Sequence, residues 1–207
     1  RKKIASLLNT SPGCIFFTSG GTEADNMAIK CGIHDHKITH AITSKLSHHA
    51  VLYPLEDLEK EGIIKLTYVN IDENGVVDLN HLEELLQNNP RTFISIMHAN
   101  NEIGTIQDIK AIGDICKAHK AIFHSDTVQT MAHFPFNMQE LQVDFMAASA
   151  HKFHGPKGVG FVYISDGIQI KPLLRGGGQE RNMRAGTENI YGIAALSMAM
   201  EMAYENL

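Results

Sequence analysis

Short apolar runs alternate with amphipathic stretches along the whole chain. Runs rich in apolar and β-branched residues predict strands over 14–18, 40–43, 65–69, 92–97, 121–124, 144–148 and 160–164. Apolar residues recurring at helical spacing predict helices over 4–9, 22–31, 49–61, 78–87, 108–119 and 189–205. Asp72-Glu73-Asn74-Gly75 reads as a turn, and Asp78 as the N-cap of the helix that follows. Gly176-Gly177-Gly178 reads as a glycine loop after the last strand. Strand followed by helix, repeated, predicts an α/β fold with a mostly parallel sheet. No repeat, low-complexity linker or composition break divides the chain, so residues 1–207 are read as one domain.

Composition narrows the class. The chain has 207 residues, 43% hydrophobic and 20% charged, which suits one globular domain with a substantial core. Its formal net charge of -5 and scattered basic residues argue against a nucleic-acid partner. No segment is long and apolar enough to span a bilayer. The basic start Arg1-Lys2-Lys3 lacks the long apolar core and cleavage site of a signal peptide and reads as part of an amphipathic helix. Cys14, Cys31 and Cys116 are odd in number and irregular in spacing. They predict neither a disulfide framework nor a zinc site, and the reducing cytoplasm is the default setting. The 12 histidines form no HExxH-type pair, and no metal is expected.

In open α/β sheets ligands sit beyond the carboxyl ends of the strands. Polar clusters fall there after five of the predicted strands, at 20–23, 47–49, 98–102, 126–129 and 149–152. Lys152 offers an amine for a Schiff base with an aldehyde cofactor, or is a solvated loop lysine; Ser149 and His151 beside it can both donate to a phosphate. Asp126 offers a carboxylate that keeps a pyridine nitrogen protonated, or caps a turn, and Gln129 can donate to a phenolate. Gly20-Gly21-Thr22-Glu23 is a strand-to-helix turn whose free N–H groups and Thr22 hydroxyl suit a phosphate, or simply an ordinary helix start. His48 can stack on a flat ring and move protons, with His98 and His151 as further acid–base candidates. Asn100, within Asn100-Asn101-Glu102-Ile103-Gly104, can bind a carboxylate or phenolate, or serve a turn. Thr187 can cap the last helix or reach a phosphate. Met198, Met200 and Met202 on that helix read as core or dimer packing. A lysine, a carboxylate and a phosphate cradle together are what a pyridoxal phosphate enzyme requires.

Thr18-Ser19-Gly20-Gly21-Thr22-Glu23, Met97-His98-Ala99-Asn100-Asn101-Glu102-Ile103-Gly104, Ser149-Ala150-His151-Lys152 and Gly176-Gly177-Gly178-Gln179-Glu180-Arg181 followed by Arg184-Ala185-Gly186-Thr187-Glu188-Asn189 occur in this order. Together they resemble the cysteine desulfurases of the nitrogen-fixation and iron–sulfur-assembly type, in the class V aminotransferase group of fold-type I pyridoxal phosphate enzymes. The resemblance implies a three-layer sandwich around a mostly parallel, mixed sheet, the cofactor-binding large domain. It implies that Lys152 forms the Schiff base, Asp126 pairs with the pyridinium, Gln129 bonds the phenolate and His48 stacks on the ring. Gly21, Thr22, Ser149 and His151 would hold the phosphate, Thr187 would reach the phosphate of a partner subunit, and Asn100 would orient the substrate. The implied reaction takes sulfur from L-cysteine, giving alanine and an enzyme persulfide, in a cytoplasmic homodimer that serves an iron–sulfur scaffold or other sulfur acceptor.

The resemblance also implies a longer protein. The family's catalytic cysteine loop and substrate-binding arginine lie in a C-terminal region, and a further segment precedes the first helix. The chain is therefore expected to be a fragment that cannot complete persulfide formation. Ser47 stands where the family usually has Glu, and Ala150 where it often has Gly. A selenocysteine lyase or another class V aminotransferase, and a non-catalytic scaffold that keeps the fold, are the alternative functions.

Overall fold

The computed structural model describes residues 1–89 and 91–207. Helix α1 (Lys2–Leu7) leads into strand β1 (Ile15–Thr18), and a helical run follows through α2 (Gly21–Asn26), a wider π-type turn (Met27–Cys31) and α3 (Gly32–Asp35). Then come β2 (His40–Thr43), α4 (His49–Lys60), β3 (Lys65–Tyr68), α5 (Leu79–Gln87), β4 (Thr92–Met97), α6 (Ile109–Ala118), β5 (Ile122–Asp126), β6 (Phe145–Ser149) and β7 (Gly160–Ile164). The chain closes with a short turn of helix, α7 (Gln179–Asn182), and the long α8 (Ile190–Tyr204).

The seven strands form one sheet in the order β1-β7-β6-β5-β4-β2-β3. All neighbours are parallel except β7, which runs antiparallel to both β1 and β6. The sheet is therefore mixed but mostly parallel, and β1 points the same way as β2 to β6. Helices cover both faces, as a parallel sheet requires. On one face Ile4, Leu82, Ile112 and Leu196, from α1, α5, α6 and α8, pack against Phe123 and Met146. On the other, Ala24, Ile33, Val51 and Leu55, from α2, α3 and α4, pack against Phe93, Phe145 and Ala147. This is the expected three-layer sandwich. Every residue of β4, β6 and β7 is buried, which explains their near-continuous apolar runs. Among the described residues no helix is long and apolar enough to cross a membrane.

All seven predicted strands are present, and the departures are at their ends. The first predicted helix is displaced towards the terminus and the second runs on to Asp35. More consequential is that β5 and β6 extend to Asp126 and Ser149, beyond the predicted 124 and 148. Both residues still pair across the sheet, Asp126 with Met97 and Ala147 and Ser149 with Gly160. Hydrophobic pattern reads a polar residue as the end of a strand, but the backbone ladder does not depend on side-chain polarity. Thr187 does not cap α8; Asn189 does, its side chain accepting from the Gly192 N–H at 3.0 Å. Asp78 and Asp108 cap α5 and α6 in the same way.

Strand β7 lies close to the loop that opens α2. A Cβ on Gly160 would fall 2.3 Å from the Ala148 carbonyl oxygen and 2.8 Å from the Gly20 Cα, both backbone atoms that cannot rotate aside. Gly160→Ala is therefore expected to destabilise the chain by roughly 1–3 kcal/mol. Gly167→Ala, with open space around it, should change stability by no more than about 0.5 kcal/mol. Denaturant unfolding of the two variants makes the comparison.

Candidate active site

The carboxyl ends of the strands surround a cavity of about 270 Å³, lined by Gly21, Thr22, Asp25, His48, Met97, Asn101, Asp126, Val128, Gln129, Ser149, His151 and Lys152. Each of the five polar clusters read from the sequence contributes to it.

The floor comes from β5. Asp126 is its last residue, 2% exposed, and its Oδ1 accepts from the Val128 N–H at 3.0 Å. Burial in the sheet, reinforced by the nearby Asp25 carboxyl, pushes its pKa up to about 7, against the opposing pull of the Val128 N–H, His124 and His48. One wall is the start of α2. A Cβ on Gly21 would lie 2.4 Å from Val128 Cγ2, so only glycine lets the helix start approach the turn after β5 so closely. Glu23 closes the first turn of α2 by accepting from the Ser19 N–H at 2.8 Å, a capping contact. Its carboxylate also receives Arg184 Nε at 2.8 Å and Nη2 at 3.1 Å. Burial raises the Glu23 pKa, but the bonds from Arg184 and Ser19 outweigh it, and the net shift is downward.

A second wall, beside the first, follows β6. A single 3-10 turn, Ala150–Phe153, carries His151 and Lys152 and ends at His154 in the left-handed region. His151 Nδ1 lies 2.9 Å from Ser149 Oγ, and His133 Nε2 donates to the Lys152 carbonyl at 2.8 Å. The lysine backbone is thus held while its side chain is exposed and lines the cavity. His48 is the N-cap of α4; its Nδ1 accepts from the Ala50 N–H at 3.0 Å. In the neutral ring Nε2 therefore carries the proton.

Of the residues predicted for the site, Gly21, Thr22, His48, Asp126, Gln129, Ser149, His151 and Lys152 are brought together. Asn100 and Thr187 are not. The Asn100 amide donates to the Leu46 carbonyl at 2.7 Å and accepts from the Glu102 and Ile103 N–H groups, so it is spent on holding its own loop. The next residue, Asn101, faces the cavity instead. Thr187 lines a separate, smaller cleft with Ser19, Glu180 and Arg184. His98 is buried against Phe134 and Phe136, its Nδ1 2.9 Å from Thr130 Oγ1, and burial lowers its pKa to about 4. It is a core histidine. Asp25 and Asn101 are the polar residues that sequence reasoning missed. Asp25 could have been found from helix period, since it lies four residues after Gly21 on the same face of α2.

The Asp126 pKa has a stability consequence. In the folded chain it lies above the ordinary value of 3.8, so the folded state holds this proton more tightly than the unfolded one. The contribution is complete below about pH 4 and is lost as pH rises towards 7. Asp126→Asn should therefore match the parent near pH 4 and exceed it above pH 7 by on the order of 5 °C in thermal midpoint. Thermal unfolding of the cofactor-free chain and the variant across this range tests the sign.

Comparison with known proteins agrees with this architecture. The profile of the aminotransferase class-V family matches residues 1–207. The cysteine desulfurase IscS of Clostridium botulinum (strain Hall) is 47% identical over 210 aligned residues, covering 100% of this chain and 52% of that protein. That of Dictyoglomus turgidum is 50% identical over 206, covering 98% and 52%. Among solved structures, a NifS-like protein superposes with a TM-score of 0.94 at 44% identity, covering 99% of this chain and 57% of the other. SspA in complex with cysteine gives 0.91 at 35% identity, covering 97% and 58%. The chain spans about half the length of the curated relatives it matches. It belongs to the aminotransferase class-V family.

Proposed function

We propose that the chain binds pyridoxal phosphate and serves a cysteine desulfurase, which converts L-cysteine and an enzyme thiol into alanine and an enzyme persulfide. The observation that carries this reading is the cavity itself. Two buried carboxyls, one lysine and a set of phosphate-type donors face a single space. The residues fit the cofactor: Gly21 leaves the α2 start bare of side chain, and Asp126 is a buried acid whose second oxygen is free of the Val128 contact. The relatives named cysteine desulfurase, and the neighbour solved with cysteine, support the substrate class.

Pyridoxal phosphate, when bound, supplies an electrophilic aldehyde and a protonated ring that withdraws electrons from the substrate α-carbon. The protein's part follows from its own groups. Lys152 provides the amine that attaches the cofactor. Asp126 holds the proton on the ring nitrogen, and Gln129 donates to the phenolate. N–H groups at Gly21 and Thr22, the Thr22 and Ser149 hydroxyls and His151 hold the phosphate, aided by the positive end of the helix. His48, fixed through Nδ1, stacks on the ring and exchanges protons at Nε2. Asn100 acts on the substrate indirectly, by fixing the loop that presents Asn101. Thr187, outside the cavity, is assigned to the phosphate of a partner subunit; exposed Ile190, Tyr191, Met198 and Met202 on α8 support pairing of two copies. An iron–sulfur scaffold or similar protein would accept the sulfur, in the cytoplasm.

The acceptor thiol is not one of the three cysteines present. Cys14, Cys31 and Cys116 are all buried. Burial raises each thiol pKa, that of Cys31 to about 11, so none is available as a thiolate near neutral pH.

The purified chain mixed with pyridoxal phosphate is expected to show an absorbance band near the visible edge that is lost in Lys152→Ala. It should release no alanine from cysteine alone, whereas a protein extended to the length of the relatives should. A folded chain with no lysine-dependent band, or an extended protein that yields no alanine, would overturn the reading.

A further inference from the structure

A second buried carboxyl lies beside the same cavity. Asp25 is 1% exposed on α2, and His124 is fully buried on β5. His124 precedes Asp126 by two residues, so strand alternation puts both side chains on one face of the sheet. His124 Nε2 lies 3.2 Å from Asp25 Oδ1. Among the described residues neither of these two buried atoms has a hydrogen-bond partner. At the other end of the ring, His124 Nδ1 lies 2.8 Å from Ser95 Oγ, on the residue directly opposite in β4. The Phe93 ring packs on the imidazole with centroids 6.3 Å apart. Ser95, His124 and Asp25 thus form a continuous buried row that ends next to Asp126.

Such a row must settle where its protons reside. Two adjacent carboxylates in a dry layer cannot both ionise cheaply, and an unpaired buried imidazolium is no better. Burial holds the Asp25 pKa well above the usual range and lowers that of His124 to about 4. The titratable groups facing Asp126 are Asp25 from α2, His124 from its own strand and His48 from the start of α4, with Lys152 lining the same cavity. Of the two carboxyls, only Asp126 receives a backbone N–H among the described residues, which supports an anion there.

We propose that Asp25 and His124 are positioning residues for Asp126: the pair stays neutral, with the Asp25 proton on the line to His124 Nε2 and the ring proton on Nδ1 facing Ser95 Oγ, so that negative charge beside the cavity is confined to Asp126. An ionised Asp25 would offer a second anion and divide the attraction for a ring N–H⁺ between two directions. The neutral row leaves one acceptor in one place. The inference rests on the cofactor reading only in assigning the ring nitrogen to Asp126; the protonation of the row is a property of the chain itself.

Two measurements test it. The first is the ring ¹⁵N chemical shift of His124 in the histidine-labelled, unsubstituted chain, assigned through His124→Gln. The expected spectrum is a neutral ring protonated on Nδ1, unchanged from about pH 6 to pH 8. A ring protonated on Nε2, or an imidazolium in that range, would overturn the proposal. The second is the pH titration of the absorbance of the pyridoxal phosphate-loaded protein. Asp25→Asn, which keeps a neutral donor against Nε2, should leave the midpoint within about 0.3 unit. Asp25→Ala, which strands the imidazole, should weaken cofactor binding about tenfold, with Asn restoring it. A midpoint moved by about a unit or more in Asp25→Asn would show that Asp25 carried charge, and the proposal would fail. If the unsubstituted chain takes up no cofactor, the functional reading fails, while the ¹⁵N result still decides the state of the row.

Discussion

The site depends on keeping one carboxyl, Asp126, out of water at the end of a central strand. A buried acid is costly in its charged form unless something compensates it. The turn after β5 supplies part of that compensation through the Val128 N–H, and the ladder with Met97 and Ala147 holds the strand backbone in place. The remaining imbalance appears as an acid whose pKa lies near 7 instead of near 4. Such a residue is a poor element of stability and a good binding element for a buried cation. The same strand end that weakens the chain on its own is therefore suited to holding a buried cation. This opposition between stability and function recurs where charged groups are buried at active sites.

Around that carboxyl the other parts are held by contacts that do not depend on a ligand. Gly21 fits its place because the turn after β5 leaves no room for a Cβ. Glu23 ties the first turn of α2 to Ser19 and to Arg184, which arrives from the distant segment between α7 and α8. His48 is oriented by the Ala50 N–H, and the Lys152 backbone by His133. The cavity is thus preorganised by helix starts and strand ends, with the long lysine side chain left exposed. Preorganisation of this kind limits the ordering that a ligand must impose on binding.

Much of this was legible in the sequence, for identifiable reasons. Apolar runs and helix period located every strand and each long helix, because both faces of the sheet are buried and its strands are apolar along their length. The rule that ligands lie beyond the carboxyl ends of strands gathered Gly21, His48, Asp126, Ser149 and Lys152, which line one cavity. What stayed hidden was side-chain direction. Asn100 and Asn101 are adjacent amides of the same chemistry, and only the loop's own hydrogen bonds decide that the first turns inward and the second faces the cavity. Thr187 and Asn189 are both good caps by composition, yet the backbone gives the role to Asn189. Asp25 was passed over for another reason. It lies within an apolar helical stretch, where an acidic residue reads as the solvated face, and only its helical spacing from Gly21 ties it to the cavity side.

Asp25 also illustrates why a parallel sheet with helices on both faces can tune charge so closely. Asp25 belongs to the helical layer and His124 to the sheet, so the distance between them is set by helix-on-sheet packing. Ala24 of α2 and Met27 and Ala28 of the π-type turn after it hold this helical run against the sheet beside Phe93, Phe145 and Ala147. Small residues on the helix bring its axis close, and Gly32 brings it closer still, since a Cβ there would meet Phe93 at 2.9 Å. A bulkier set at these positions would separate Asp25 from His124 without altering either residue. The electrostatics of the cavity floor are therefore written into the apolar packing of a neighbouring layer as much as into the ionisable groups themselves.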